Sequence, residues 1–339
     1  MEFLFGKTLS QLCDIVLGVG LPKFTAKQLA DWLYKKDVSS FEQMTNLSKK
    51  ARQMLSENFE VGLTPPMRCV ESRDGTKKYL YKYGSSNFIE TAFIPDHDRA
   101  TLCVSCQTGC KMGCKFCLTG KQGFSGNLTT NQILNQIKSL PEFSKLTNLV
   151  FMGMGEPMDN IDNVLKALEI ITSDYGFAMS PRRVTVSTVG ILPALDVFLQ
   201  QSQTHLALSI HNPFETQRRQ LMPVQGAQPL LEVLKVIKKY DFSHQRRFSA
   251  EYTMINGYND SIAHAKELVR ILNGIPARVN LIRYHANSEN GFEPSPMEKI
   301  VEFQNILKLK GITATLRASR GEDISAACGL LSTKELQNK

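Results

Sequence analysis

The spacing of hydrophobic residues divides the first hundred positions of the chain into two segments of different kinds. In residues 1–65, apolar side chains recur three or four positions apart, as in Leu9, Leu12 and Val16. This is the spacing of an α-helix that buries one face. In residues 66–98, apolar and polar positions alternate instead, which is typical of β-strands. We therefore expect a small helical accessory domain followed by a β-hairpin linker.

Residues 99–339 alternate between short β-like runs and helical stretches. The predicted strands are Thr101–Ser105, Asn148–Met152, Arg183–Thr188, His205–Ile210, Ser249–Ile255, Arg278–Tyr284 and Thr313–Ala318. The predicted helices are Asn163–Ser173, Pro193–Gln201, Pro229–Tyr240, Ala263–Asn273 and Met297–Leu309. This order predicts a parallel α/β sheet, and about six units are too few to close an eight-stranded barrel. We expect a partial (βα)6 barrel of the TIM type, with an open doubly wound sheet as the alternative, and functional residues at the C-terminal ends of the strands.

Composition adds a preference for an anionic partner. The 339 residues carry a formal net charge of +8, partly as dispersed basic pairs such as Lys49-Lys50 and Arg246-Arg247. Such an excess favours a polyanion such as nucleic acid, although charge that only keeps a protein in solution looks the same. No apolar run approaches the roughly 20 residues of a membrane span, and the N-terminal residues lack the pattern of a signal peptide. We therefore expect a cytoplasmic protein without a membrane partner.

Five of the eight cysteines lie between Cys103 and Cys117. In a reducing compartment, such clustering indicates metal or redox chemistry more than structural disulfides. Cys110, Cys114 and Cys117 have the spacing CX3CX2C in a loop after a predicted strand. Three thiolates can hold three irons of a [4Fe–4S] cube, which leaves the fourth iron free to bind a substrate. With Phe116 before the last cysteine, the motif resembles the signature of radical S-adenosylmethionine (SAM) enzymes.

The main alternative for these cysteines is a zinc site formed by Cys103 and Cys106 together with Cys114 and Cys117. Residues three apart on a strand point to opposite faces, so Cys103 and Cys106 would not bind one ion without a bend in the chain. The seven residues between the two pairs are also fewer than a zinc ribbon usually has. We favour the iron–sulfur cluster and keep a zinc-stabilised RNA-binding protein as the alternative to an enzyme.

Polar and glycine residues follow three of the predicted strands and are candidates for cofactor contacts. Gly155 and Glu156 come just after the second strand, where glycine lets the backbone approach a ligand and the carboxylate could accept from the ammonium group of SAM. The third and fourth strands end in Ser187 and in the run Ser209-Ile210-His211. Each residue alone is more often a packing or turn residue, so the prediction depends on their common position at strand ends.

Several motifs, in order and spacing, resemble the RlmN/Cfr family of radical SAM RNA methyltransferases. They are the runs from Leu102 to Cys117, from Gly153 to Pro157, from Arg183 to Ser187 and from Arg320 to Gly329. The resemblance covers about residues 88 to 330, and the helical N-terminus is similar to the family's accessory domain. It implies a partial barrel with SAM contacted by Gly155, Glu156, Ser187 and Ser209 to His211.

The chain departs from the family pattern at two positions. The family has an asparagine contact to SAM after the sixth strand, where this chain has His285. We assign His285 to the cofactor site by that position. Relatives commonly carry serine where this chain has Cys106, which we interpret as a small buried residue.

The resemblance also implies a mechanism with three catalytic residues. One SAM molecule methylates Cys328, and a radical formed from a second SAM takes hydrogen from the new methyl group, so that the carbon radical adds to adenine. Glu90 then removes the ring proton. Cys103 attacks the sulfur of Cys328, which forms a transient disulfide and frees the methylated base.

The substrates and partners are likewise implied by the resemblance. They are one adenosine at the peptidyl transferase centre of 23S rRNA and one beside the anticodon of certain tRNAs, in loops from which a base can leave its stack. An electron donor such as flavodoxin or ferredoxin is expected, and so is a monomer. The chain looks like the housekeeping branch, which methylates carbon 2. Methylation of carbon 8, in the antibiotic-resistance branch, is the alternative.

Overall fold

The computed structural model describes residues 1–84, 87–286 and 291–333. By their internal contacts these residues form two units. The first unit comprises residues 1–66, 128–145 and 162–180, and the second comprises residues 67–127, 146–161 and the chain from 181 onward. Across the three described ranges, no helix is long and apolar enough to cross a membrane.

The described residues form eleven α-helices and fourteen β-strands. The helices are α1 (Leu9–Gly18), α2 (Thr25–Ala30), α3 (Lys49–Asn58), α4 (Leu118–Gln122), α5 (Thr130–Lys138), α6 (Ile161–Thr172), α7 (Leu192–Gln201), α8 (Glu215–Leu221), α9 (Leu230–Ile237), α10 (Ile262–Leu272) and α11 (Met297–Leu309). The strands are β1 (Glu2–Phe3), β2 (Phe59–Glu60), β3 (Arg68–Glu71), β4 (Lys77–Tyr83), β5 (Asn87–Asp96), β6 (Arg99–Cys103), β7 (Gln107–Gly109), β8 (Phe124–Asn127), β9 (Asn148–Phe151), β10 (Val184–Thr188), β11 (His205–Ser209), β12 (Phe248–Met254), β13 (Ala277–Arg283) and β14 (Thr313–Arg317).

The first unit is helical, and its core includes the Tyr34 side chain. It contains α1, α2 and α3, where apolar spacing predicts helices, together with α5 and most of α6. Tyr34 is fully buried, and its hydroxyl accepts from the Gly6 amide at 3.2 Å and donates to the Lys7 carbonyl. Asn131 on α5 donates its side-chain amide to the Phe5 carbonyl at 2.9 Å. These bonds pair buried polar groups that would otherwise destabilise the unit.

The frame of the second unit is a ten-stranded sheet in the order β14-β13-β12-β11-β10-β9-β6-β5-β4-β3. The seven strands from β14 to β6 in this order are parallel, and β3 to β6 pair antiparallel. The parallel strands follow one another in the sheet as they do along the chain. A doubly wound sheet would reverse its strand order at a switch point. The partial-barrel prediction is therefore confirmed, and the doubly wound alternative is wrong.

The sheet curves strongly, so that its last strand faces its middle. β9 and β14 are five strand spacings apart in the sheet order, which would separate them by about 24 Å in a flat sheet. Arg317 at the end of β14 nevertheless donates from Nη1 to Met152 Sδ, just after β9, at 3.3 Å. The two side chains could not span a flat sheet. The curvature gathers the C-terminal ends of the parallel strands around one space.

The seven parallel strands agree with the predicted ones to within one or two residues at each end, but α4, α5 and α8 were not predicted. α5 buries Asn135 and Gln136, and α8 buries Arg218. α8 therefore lacks the plain apolar stripe by which an amphipathic helix is found in a sequence. α5 carries such a stripe in Ile133, Leu134 and Ile137, but it was missed.

Candidate active site at the ends of the strands

Two adjoining cavities lie at the C-terminal ends of the parallel strands. The larger cavity, of about 330 Å³, has Cys103, Arg317 and Cys328 in its wall. The smaller cavity, of about 150 Å³, is lined by the three cysteines of the CX3CX2C motif and by most of the predicted cofactor residues. Met152 and Cys328 line both cavities. Cys328 is thus placed where one side chain can act on either side.

The loop that carries the CX3CX2C motif is fixed by backbone hydrogen bonds to two neighbouring segments. The Cys110 amide donates to the carbonyl of Gly123, and the Lys115 amide donates to the carbonyl of Leu221 at the end of α8, both at 3.0 Å. At Gly109 the backbone is left-handed, with φ of +79°, and a Cβ would lie 1.7 Å from the Gly123 carbonyl oxygen. Glycine is therefore required where the loop begins.

Cys110, Cys114 and Cys117 suit a cluster better than a single ion. Burial raises the pKa of each thiol, to about 12 for Cys110, so the thiolates need a positive centre to bind. All three thiols line the smaller cavity, and a single structural zinc ion would need a fourth protein ligand. In a [4Fe–4S] cube each thiolate binds a different iron. The three thiols therefore fit a cube.

The structure separates the two other cysteines of this region. Cys103 lies in the wall of the larger cavity, whereas Cys106 is buried and lines neither cavity. The zinc alternative requires both thiols on one ion together with Cys114 and Cys117. The geometry does not support that alternative.

The carboxylate of Glu156 is buried at the smaller cavity and accepts three hydrogen bonds. They come from the Thr188 hydroxyl at 2.5 Å and from the amides of Val189 at 2.9 Å and Met158 at 3.0 Å. Burial raises the pKa of Glu156 to about 7 in spite of these bonds, which lower it. A cation bound beside it would favour the ionised form, which fits the ammonium group of SAM.

Most of the other strand-end residues line the smaller cavity, and one of them instead holds a strand end in place. Those in the wall of the smaller cavity are Gly155, Ser187, Ser209 and His211. At Gly155 φ is +103°, and a Cβ would lie 2.5 Å from Gln107 Cβ, so the turn accepts only glycine. Ile210 is buried and lines neither cavity. Its amide donates to the Glu251 carbonyl at 3.1 Å, which holds the end of β11 in place.

His211 is held as a neutral imidazole. Its backbone is left-handed, with φ of +52°, and its ring packs edge-on against Phe116 with centroids 4.7 Å apart. Nδ1 accepts from the Thr253 amide at 3.0 Å, so the proton is assigned to Nε2. Burial, and after it the charge of Arg218, lower the pKa of His211 to about 3. His211 can therefore donate one hydrogen bond toward a ligand without carrying charge.

His285 lies apart from the other residues predicted to contact the cofactor, in the wall of the larger cavity. Its Nε2 is 3.2 Å from Ser319 Oγ, and its Nδ1 is 3.4 Å from Glu322 Oε1. These partners belong to the segment that leads to Cys328. The structure does not bring His285 to the smaller cavity, and its cofactor role stays a prediction.

The wall of the larger cavity includes the thiols of Cys103 and Cys328 and the guanidinium of Arg317. Cys103 on β6 lies opposite Ala92 of β5. Burial, and after it the neighbouring Cys328 thiol, raise the pKa of Cys103 to about 12. Arg317 Nη1 is 3.6 Å from a carboxylate oxygen of Glu251. Burial lowers the pKa of Arg317, but the nearby acidic groups, with Cys328 foremost, raise it overall. A positive charge thus lies beside both thiols.

Glu90 lies on β5, two residues before Ala92 and on the same side of the strand. It lines neither cavity. Its carboxylate pairs with Lys78 at 2.9 Å and accepts from the Ser332 amide at 3.0 Å. The C-terminal segment therefore covers this carboxylate.

The loop before Cys328 is anchored to the turn between β3 and β4. Asp74 Oδ2 accepts from the Gly321 amide at 2.9 Å, and the Ser72 hydroxyl donates to Asp323 at 2.5 Å. Desolvation raises the pKa of Asp74, but hydrogen bonds, led by the one from Gly321, lower it to about 2. The Asp74 carboxylate is therefore ionised and strongly engaged in this anchor.

The chain after Cys328 is anchored to α4, which follows the motif loop directly. The Leu118 amide donates to the Gly329 carbonyl at 2.9 Å, and the Thr119 hydroxyl donates to the Leu331 carbonyl at 2.6 Å. Cys328 itself is exposed. The chain is held on both sides of Cys328, but the Cys328 side chain is not packed, so its thiol can turn between the two cavities.

Met152, Arg317 and Asp74 were not predicted as site residues. Met152 and Arg317 end observed strands or follow them directly, so the rule that functional residues lie at strand ends could have found both. Asp74 acts through the fold of a distant hairpin, and nothing in the sequence signals its contact with Gly321.

Two family models match the chain. One, described as the Radical SAM superfamily, matches residues 104–269. The other, described as Ribosomal RNA large subunit methyltransferase N-terminal domain, matches residues 3–61. The first match includes the cysteine motif and the strand-end residues of the smaller cavity, and the second includes α1 to α3.

Whole-length relatives carry the comparison further. The chain is 55% identical over 336 residues to the probable dual-specificity RNA methyltransferase RlmN of Phocaeicola vulgatus, covering 99% of this chain and 96% of the relative. It is 42% identical over 324 residues to the dual-specificity RNA methyltransferase RlmN of Geotalea uraniireducens, covering 96% and 94%. The crystal structure of a radical SAM methyltransferase from Sphaerobacter thermophilus is 37% identical, with a TM-score of 0.91, and covers 98% of this chain and 99% of that chain.

Removal of the Asp74 carboxylate is expected to loosen the loop before Cys328. In Asp74→Ala, the Gly321 amide loses a charged acceptor, a bond of about 1.5–3 kcal/mol. Amides of residues 321–326 should then exchange with deuterium about tenfold faster or more, as mass spectrometry of the full chain can measure. Glu71→Gln, which removes an exposed carboxylate of the same hairpin, should leave the exchange unchanged. Equal exchange in Asp74→Ala and the unaltered protein would rule out the anchor.

Proposed function

The chain belongs to the RlmN family of radical SAM RNA methyltransferases, and we propose that it methylates carbon 2 of adenosine in 23S rRNA and in tRNA. The enzymes of this family use a [4Fe–4S] cluster and SAM. The proposed targets are one adenosine at the peptidyl transferase centre and one beside the anticodon. Carbon 2 is electron-poor, and the methyl group of SAM is itself an electrophile, so direct polar transfer between them is unfavourable. A radical carried by the protein avoids this mismatch.

We assign the smaller cavity to the two cofactors. Cys110, Cys114 and Cys117 would ligate the cluster, and Glu156 would accept from the ammonium group of SAM, with His211 as a neutral donor. When bound, the cluster supplies the electron that cleaves SAM to a radical able to remove hydrogen from a methyl group.

The observation that carries the proposal is the position of Cys328 in the wall of both cavities. Facing the smaller cavity, its sulfur would take up a methyl group as a thioether. Facing the larger cavity, the same carbon would reach a base that has left its stack. The larger cavity, of about 330 Å³, lies in the size range of small-ligand pockets, which suits one nucleobase.

Cys103 is proposed to release the product. Its thiolate attacks the sulfur of Cys328, so that a disulfide forms, the sulfur–carbon bond to the base breaks, and the released methylene takes up a proton to become a methyl group. Burial raises the pKa of Cys103 to about 12, and the charge of Arg317 acts against that rise. We propose that Arg317 favours the thiolate when it is needed.

Glu90 is proposed as the base that removes the proton from carbon 2. The adduct would also have to give up one electron, for which the oxidised cluster would be the acceptor, so that a closed-shell thioether is left for Cys103 to cleave. Glu90 shares a side of β5 with Ala92, the residue opposite Cys103. Its carboxylate is bound by Lys78 and by the Ser332 amide. For Glu90 to reach a base in the larger cavity, the contact with Ser332 has to open, which couples the base to the C-terminal segment that carries Cys328.

The domain organisation and partners follow from the same proposal. Residues 1–65 would bind RNA, as the name of the matching family model suggests. Residues 66–98 would link this domain to the catalytic core at 99–339. A monomer in the cytoplasm, reduced by a flavodoxin or ferredoxin, completes the proposal. Unpaired loops are favoured targets because flipping a base costs least there.

Cys103→Ala is expected to trap a covalent protein–RNA adduct through Cys328. Radical addition can proceed in this variant, but the sulfur–carbon bond has no thiol to break it. Denaturing gels and mass spectrometry of anaerobic reactions with labelled RNA should show the adduct, and Cys103→Ala combined with Cys328→Ala should show none. Cys106→Ala is the matched control, because Cys106 is a neighbouring buried thiol that lines neither cavity. It should turn over normally. Full turnover by Cys103→Ala without trapped RNA would remove Cys103 from the mechanism.

SAM binding should weaken as the pH falls through 7. Only the ionised Glu156 accepts from an ammonium group, and burial raises its pKa to about 7 in the protein without ligand. From pH 8 to pH 6 the ionised fraction falls about tenfold. The affinity for SAM, relative to that of Glu156→Gln at the same pH, should fall by a similar factor in anaerobic binding titrations. A ratio that stays constant across this range would separate Glu156 from SAM recognition.

A further inference from the structure

Arg218 on α8 is a fully buried cation beside the motif loop. It is 0% exposed and the bulkiest of the fully buried side chains that the structure describes. Its Nε donates to the Ile210 carbonyl at 3.1 Å, its Nη2 donates to the Ser209 carbonyl at 3.0 Å, and its Nη1 donates to Gln225 Oε1. All three acceptors are uncharged.

No carboxylate in the described part of the chain forms an ion pair with this guanidinium. A guanidinium keeps its proton in proteins even when it is buried, so Arg218 carries a full positive charge. A buried charge is costly unless an opposite charge accompanies it. Arg218 therefore needs a negative partner that is not a carboxylate.

The motif loop is the neighbouring segment at the end of α8. The amide of Lys115, next to Cys114, donates to the Leu221 carbonyl at the end of α8 at 3.0 Å. Cys114 packs against Leu221 and Met222, and the Met222 amide donates to the carbonyl of Arg218 itself. Cys114 thus belongs to the same packed cluster as the end of α8, whose preceding turn carries the buried Arg218.

We propose that Arg218 is the buried counter-ion of the iron–sulfur cluster and raises its reduction potential. Three thiolates outweigh the positive charge of the cube, so the bound cluster is an anion, and reduction adds one more negative charge. A fixed cation nearby stabilises the reduced state more than the oxidised one, and net charge and burial are among the factors that set such potentials. This inference rests on the proposed cluster site.

The test compares three substitutions at one position with one at the next. Full-length protein is reconstituted without oxygen, assayed for iron and sulfide, and titrated electrochemically without SAM while electron paramagnetic resonance follows the reduced cluster. Arg218→Met should shift the midpoint potential to more negative values. Arg218→Lys, which keeps the charge but not the forked hydrogen bonds, should restore it toward the unaltered value. Arg219→Met is the matched control, because Arg219 is exposed, and its potential should not change.

Each outcome distinguishes an electrostatic role of Arg218 from a purely structural one. An unshifted potential in an Arg218→Met protein with a full cluster overturns the proposal, and so does an equal shift in the Met and Lys variants. If Arg218→Met and a second neutral variant, Arg218→Gln, assemble no cluster but Arg218→Lys does, the need for charge is supported. If all three fail, the residue is structural and the proposal is wrong. Absence of any cluster in unaltered protein would instead refute the proposed cofactor site.

Discussion

The closing of the curved sheet brings the end of β14 against the ends of β6 and β9, and the candidate site depends on that contact. Arg317 and Met152 meet across it at 3.3 Å, although their strands are five positions apart in the sheet. Because the chain runs from β14 into the loop of Cys328, the contact also decides where this cysteine lies. The anchors at Asp74 and at α4 then hold the loop from both sides, with Cys103 in the wall of the same cavity.

A second constraint is that buried ionisable groups around the smaller cavity lack opposite charges to compensate them. Burial raises the pKa of the motif thiols and of Glu156. In the part of the chain that the structure describes, no carboxylate forms an ion pair with the buried Arg218. Such groups destabilise a fold unless opposite charges accompany them. In the proposed assignment, iron compensates the thiolates, the ammonium group of SAM compensates Glu156, and the anionic cluster compensates Arg218. The same groups that reduce the stability of the protein alone would provide its affinity for the cofactors.

Much of the fold and part of the site could be predicted from the sequence. Strand–helix alternation is a local pattern, so the strands and the partial barrel could be predicted. The CX3CX2C loop could be predicted because its residues are contiguous in the chain. The role of Arg218 could not be predicted, because α8 buries a charged side chain where an amphipathic helix would bury an apolar one. The hydrogen bond between Asp74 and Gly321 could not be predicted either, since it joins residues 247 positions apart. His285 was assigned by alignment to a family position, and its side chain lies at the other cavity.

Analysis of modified nucleosides tests the central claim most directly. The 23S rRNA segment around the peptidyl transferase centre and the purified tRNAs would be digested from a strain that lacks this protein and from the same strain with the full chain restored. Mass spectrometry against authentic standards then separates the methyladenosine isomers. The account predicts that 2-methyladenosine is absent from both RNAs without the protein and returns to both with it. Return of 8-methyladenosine instead, or of no methyladenosine at all, would contradict the account.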